Sequence, residues 1–262
     1  MAVFVKNDIT STGADTLKLQ LDMLAVLEAN MLNGEHNGLI TYHFARPDPN
    51  DPYRVQYIEV YGSPESFVNH LTPEAMDLLT TNLAPANLTR FDKNIFGTNL
   101  DNNQDVLDIL KPFGVDKMPN IAKGYILHPN AIFKDSLSDQ KPTMVDFIMK
   151  TKHREDVKSQ IDELVKMAKA DILTMAATEH DDIIELTEIC GSNSALVNHL
   201  GAPEAKSIIG KMESLCESVY VNVYGETHEG TKEMLKDFGF ETNYINTDAG
   251  FILNPNPDSN GK

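Results

Sequence analysis

The chain is written partly twice. Residues 58–71 read Ile-Glu-Val-Tyr-Gly-Ser-Pro-Glu-Ser-Phe-Val-Asn-His-Leu, and residues 187–200 read Thr-Glu-Ile-Cys-Gly-Ser-Asn-Ser-Ala-Leu-Val-Asn-His-Leu. Glu59 and Glu188, Gly62 and Gly191, His70 and His199 all stand at one constant offset of 129 positions. A repeated strand, Gly-Ser turn and Asn-His-Leu helix requires two copies of one supersecondary unit, which fixes architecture before local propensity is consulted.

Hydrophobic periodicity fills in the elements around this anchor. In the first copy, 2–7 reads as a strand and 15–32 as an amphipathic helix stopped at Asn33-Gly34. Strands follow at 38–44 and 53–61, joined by a turn dense in Pro and Asx residues. Ser63-Pro64 suits a helix start, with Ser as N-cap and Pro at the first helical position. That helix carries Phe67, His70 and Leu71 and restarts at Thr72-Pro73, to about Asn82. A strand at 91–96, a short helix at 102–110 and a strand at 123–127 complete the copy. The second copy runs in the same order: strand 143–149, helix 154–169, strands 172–177 and 183–190, helices from 193 and 203, strand 218–224, helix 228–238 and strand 250–253. His128-Pro129-Asn130 is echoed by Asn254-Pro255-Asn256. The boundaries are therefore 1–128 for the first repeat, 129–142 for a linker, 143–256 for the second repeat and 257–262 for a loose tail.

Each copy reads β-α-β-β-α-β plus an extra α-β. The first six elements give the α+β, ferredoxin-like arrangement, an antiparallel sheet with helices on one face. The uncovered faces of two such sheets can shelter one another, so the expectation is two sheets packed face to face around a cavity.

Net charge is −17 in 262 residues, with the acidic residues spread along the chain. An unassisted nucleic-acid binder or an anionic-membrane binder needs the opposite surface. Cys190 and Cys216 are the two cysteines and form no Cys-x-x-Cys pair, so both read as reduced and structural. The N-terminus lacks a basic region followed by an apolar one, and no apolar run is long enough to span a membrane. The default is a soluble cytoplasmic protein, possible removal of a transit peptide aside, working as a one-chain pseudo-dimer that can associate further.

With the elements in place, Glu-x-Tyr on the third strand followed by Phe-x-x-His on a helix resembles the antibiotic-biosynthesis-monooxygenase type of dimeric α/β-barrel family. The matching residues are Glu59, Tyr61, Phe67 and His70. The second copy keeps Glu188 and His199 but has Cys190 for the aromatic and Leu196 for the Phe. The resemblance implies a tandem-duplicated, intramolecular version of a barrel usually built from two chains. It also implies a range of activities: cofactor-independent oxygenation of quinols and phenols, haem degradation, isomerisation, or none. The chain has no Trp, which weighs against haem degradation of the family's kind, and no Gly-rich phosphate loop follows a strand.

Strand alternation sorts the site residues. Tyr57, Glu59 and Tyr61 share a face with Val55 and are expected to look into the space between the sheets, leaving Gln56, Ile58 and Val60 to the helices. Ile184, Leu186, Glu188 and Cys190 are their counterparts. On the fourth strand Val219, Val221 and Val223 suit the helices, while Tyr220, Asn222 and Tyr224 look inward, matched by Asp92, Asn94 and Phe96. His70 and His199 are the candidate acid/base groups, since imidazole titrates near neutrality. Glu59 and Glu188 can orient them or bind a substrate hydroxyl. Tyr57, Tyr61, Phe67, Asn94, Phe96, His43, Asn222 and Tyr224 are candidate ligand contacts. His180-Asp181-Asp182 lies in a hairpin turn and lacks a ligand set at metal spacing. The expected function is a cofactor-free monooxygenase, with no metal, acting on a small phenolic, quinol or polyketide-like molecule held between sheet and helices. A non-catalytic binder of a small apolar ligand, or a His-dependent isomerase or lyase, is the alternative. Because the first copy keeps both aromatics, it is expected to be the working one.

Overall fold

The computed structural model describes residues 2–30, 38–70, 77, 85–92, 94–97, 108, 111, 119–131 and 141–253. The helix stop at Asn33-Gly34, the helix restart at 72–82, most of the helix at 102–110 and the Asn254-Pro255-Asn256 echo lie outside the described residues. The chain forms two compact units, Met1–Asn120 with Asn246–Lys262, and Ile121–Ile245.

The first unit holds β1 (Val3–Ser11), α1 (Ala14–Asn30), β2 (Leu39–Ala45), β3 (Arg54–Tyr61), α2 (Pro64–His70), β4 (Leu88–Asp92) and β5 (Ile95–Gly97). Its sheet runs β2-β3-β1-β4, with β5 also paired to β1, all antiparallel. The second unit holds β6 (Lys123–Tyr125), β7 (Thr143–Lys150), α3 (Arg154–Met167), β8 (Ile172–His180), β9 (Ile183–Cys190), α4 (Asn193–Leu200), α5 (Pro203–Ser214), β10 (Ser218–Tyr224), α6 (Glu229–Phe238) and β11 (Glu241–Ile245). Its sheet runs β11-β10-β7-β9-β8-β6, antiparallel except for β10 with β11. Both units thus have the ferredoxin-like strand order, and the α+β class read from the sequence is the one observed.

The chain then does something its order conceals. β6, the last strand of the first copy in sequence, pairs with β8 in the second sheet. β12 (Ala249–Phe251), the last strand of the second copy, pairs with β2 in the first. The two copies exchange their last strands. Each exchanged strand centres on a glycine at positive φ, Gly124 at 89° and Gly250 at 84°. A Cβ there would overlap the carbonyl of Met175 or Tyr42 on the neighbouring strand, so only glycine allows this approach.

Local rules explain the helices. In α3, Val157, Ile161 and Leu164 recur at helical spacing and are fully buried. Burying such side chains stabilises by roughly 1.5–3 kcal/mol each. The Ser192 side chain caps α4 by accepting from the Ala195 amide at 3.0 Å, and Ser63 does the same for Ser66 at the start of α2 at 3.1 Å. Asn193 ties α4 down further: its amide donates to the Lys141 and Glu226 carbonyls, and its oxygen accepts from the His228 amide and the Thr231 hydroxyl. Gly239, in the left-handed region, ends α6. No helix among the described residues is long and apolar enough to cross a membrane.

Candidate functional site

Which face meets the helices is the first correction. Val55, Tyr57 and Tyr61 pack in one core with Leu17, Leu24 and Leu27 of α1 and Phe67 of α2. Ile184, Leu186 and Cys190 pack with Val157, Ile161 and Leu164 of α3 and Leu196 of α4. The Glu59 and Glu188 faces are therefore the helix-covered faces, the reverse of the reading from strand alternation. The valines of β10 lie where expected, since Val221 and Val223 join the helix-packed core. Consequently the candidate residues divide between the two faces of each sheet. Phe96 pairs with Phe4 and His43 with Ile58, on the face opposite Glu59. His43 Nε2 lies 3.0 Å from the Thr247 hydroxyl. The Tyr224 hydroxyl donates to buried Asp146 at 3.3 Å, which also accepts from Thr187 at 2.6 Å. Asn222 accepts from Asn243, and the Asn94 amide donates to the Asn7 side chain. These residues do not join the carboxyl–histidine clusters.

In the first unit, Tyr57, Glu59, Tyr61, Phe67 and His70 do come together under the helices. The Tyr61 hydroxyl donates to Glu59 Oε2 at 2.8 Å. Burial nonetheless pushes Glu59 up to about 7, the Tyr61 bond opposing it. Burial, with the Glu59 charge, also lifts the Tyr57 and Tyr61 hydroxyls above their usual range. The His70 ring is buried, 5.7 Å from the Tyr61 ring and 5.8 Å from that of Tyr42, and Phe67 lies 5.0 Å from Tyr61.

In the second unit Cys190 stands where Tyr61 stands in the first, and the carboxyl has lost its donor. Glu188 is fully buried, and neither of its oxygens has a hydrogen-bond partner. Burial pushes it up to about 8. His199 Nε2 lies 4.0 Å from Glu188 Oε2 and also lacks a hydrogen bond. Burial lowers His199 to about 4, with Asp171 opposing and Lys169 adding to the shift. The distance is within ion-pair range, but both shifts favour uncharged forms, so near neutral pH this is a neutral acid facing a neutral imidazole. Buried polar atoms without partners are uncommon and call for an explanation.

The imidazole lines a cavity of about 150 Å³, together with Met167, Lys169, Asp171, Ile172 and Ala195. A cavity of that order accommodates a single six-membered ring. The cavity was not foreseen from sequence: of the candidate site residues only His199 lines it, and Cys190 and Leu196 lie in the packed core. Among the described residues no group of three or more His, Cys, Asp or Glu side chains is gathered as a metal site.

No family model and no curated protein sequence matches the chain. Solved structures do. A protein of Lactobacillus acidophilus, provisionally named a monooxygenase, aligns over 84% of this chain and 91% of its own, with a TM-score of 0.50 and 12% identity. A protein of Fusobacterium nucleatum with the same provisional name aligns over 84% and 89%, with a TM-score of 0.51 and 13% identity. At such identities the likeness is one of fold, and the chain shares the fold of these two proteins over more than four fifths of its length.

Proposed function

We propose that the protein is a cofactor-independent monooxygenase-like enzyme whose working site is the Glu188–His199 pair and the cavity beside it. The observation that carries this reading is the pair itself: Glu188 and His199 Nε2 are buried, face each other and lack hydrogen bonds, and His199 lines a ring-sized space. The second copy is preferred to the first because Cys190 leaves Glu188 without the donor that Tyr61 gives Glu59.

The substrate class is a single-ring phenol or quinol, since a fused polyketide needs more than about 150 Å³. Burial makes an isolated imidazolium at His199 unfavourable, so the proton does not stop there. The imidazole takes the substrate hydroxyl proton on one nitrogen and passes its own from the other to Glu188, which accepts it in the ionised form populated as the pH approaches 8, once their 4.0 Å separation shortens to a hydrogen bond. Glu188 ends as the neutral acid that its surroundings favour. The electron-rich anion left in the cavity then reacts with oxygen. For hydroquinone, one molecule plus O2 gives hydroxyquinone plus water. A base near 8 suits this work better than one near 4.

The same weak basicity of His199 supports a second reading, in which the cavity binds a phenolic ligand without turning it over. Isothermal titration with phenol, hydroquinone and a three-ring anthrol tests the site common to both. Binding of the one-ring compounds alone, abolished in His199→Ala, is expected. Equal binding of the anthrol, or indifference to His199→Ala, contradicts the proposal.

A further inference from the structure

The exchanged strand β6 brings a residue to this site. Tyr125 is opposite Met175, Met175 opposite Glu188, and Glu188 opposite Val145, so the four form one row across β6, β8, β9 and β7. The first unit has the same row, Phe251–Tyr42–Glu59–Val5. Each carboxyl row is finished by an aromatic residue carried on the last strand of the other copy.

The two ends differ by one hydroxyl. The Tyr125 hydroxyl donates to the Ile172 carbonyl at 3.0 Å. Ile172 and the neighbouring Lys169 and Asp171 line the cavity at His199. Backbone bonds also hold this wall, Ile172 N to Lys169 O at 2.9 Å and Gly191 N to Asp171 O at 2.9 Å. Phe251 has no hydroxyl to offer the equivalent wall. The frame around the two strands is otherwise duplicated: Thr174 donates to the Ile126 carbonyl at 2.7 Å, and Thr41 to the Ile252 carbonyl at 2.8 Å. The first sheet keeps its exchanged strand without the aromatic hydroxyl, so the hydroxyl is not what seats such a strand.

We infer that Tyr125 is a positioning residue for the second site: its hydroxyl fixes the Lys169–Ile172 wall against His199 and keeps water from the Glu188–His199 pair. The inference rests on taking that pair as the working site, and assigns part of its construction to a strand outside the second copy. Two such copies cut apart at the linker would each lack the exchanged strand that holds this wall or its counterpart.

The test is Tyr125→Phe in the full chain, read without substrate. The titratable groups near His199 are Glu188 on β9 and Lys169 and Asp171 ahead of β8; Tyr125 in turn has Glu188, Cys190 and Asp171 nearby and packs 5.1 Å from the His128 ring. Ring-nitrogen resonances of His199, assigned with His199→Ala, are followed against pH. The expected result is a chain that folds with its melting temperature changed by a few degrees at most. In it the His199 midpoint moves up by about one pH unit as water reaches the ring, and the Ile172 amide exchanges about tenfold faster. An unchanged His199 midpoint overturns the inference, and so does a variant that does not fold, because the hydroxyl would then be structural. Absence of oxygen consumption in the wild-type chain would remove the oxygenase reading and leave this result standing.

Discussion

Replacing Glu188 by Gln makes a sharp test, because it fixes the neutral state at nearly constant volume. In the folded chain Glu188 ionises near 8, against an ordinary value of 4.5. Below 4.5 it is protonated in both folded and unfolded chains and contributes no pH dependence. As the pH rises from 4.5 to 8 the unfolded chain gains a charge that the folded chain refuses, so stability is lost across that window. The slope is about 1.4 kcal/mol per pH unit, which gives a loss of up to about 5 kcal/mol by pH 8, after which it levels off. Glu188→Gln removes this loss. Urea unfolding of both chains from about pH 4.5 to about pH 9 should show the variant gaining on the wild type by up to about 5 kcal/mol, in a curve that flattens above 8. Other titrating groups, Glu59 among them, largely cancel in the difference. A difference that stays constant with pH would mean an ordinary carboxylate at Glu188, and the neutral-pair account would be wrong.

The remaining predictions concern neighbouring groups. His199 carries the opposite sign: its value near 4 means that stability is lost as the pH falls from 6.5 to about 4, by up to about 3 kcal/mol, and His199→Gln should suppress that loss in the same unfolding series. Tyr61→Phe removes the donor to Glu59, and carbon NMR of the carboxyl should show Glu59 titrating above its present value near 7, with a stability cost of about 1–2 kcal/mol. Gly124→Ala and Gly250→Ala should each cost more than about 2 kcal/mol in thermal unfolding, since both force a side chain at positive φ against a neighbouring carbonyl. A loss under about 0.5 kcal/mol at either glycine would refute the close packing of the exchanged strands.

The repeat made the element order legible because it states each strand and helix twice. Ser63-Pro64 could be read as a helix start because capping is a local property. What could not be read depends on tertiary partners. Alternation groups Tyr57 with Glu59 and Tyr61, but both faces of β3 are apolar enough to be buried, as Ile58 and Val60 are, so parity alone does not say which face meets a helix. β11 was missed because Glu241-Thr-Asn-Tyr-Ile245 is mostly polar and sits at a sheet edge. The exchange of β6 and β12 has no local signature beyond Gly124 and Gly250. Cys190 and Leu196 read in sequence as erosion of a motif. In the structure the loss of an aromatic hydroxyl at 190 is what leaves Glu188 without a donor.

Oxygen uptake with hydroquinone, followed against pH for the wild type, Glu188→Gln and His199→Ala, tests the account at its centre. The wild-type rate should rise with a midpoint near 8, tracking ionisation of Glu188. Both variants should lose that rise, and hydroxyquinone should form in the wild-type reaction alone. Uptake in the wild type that survives either substitution with its pH profile intact would place the chemistry elsewhere in the molecule.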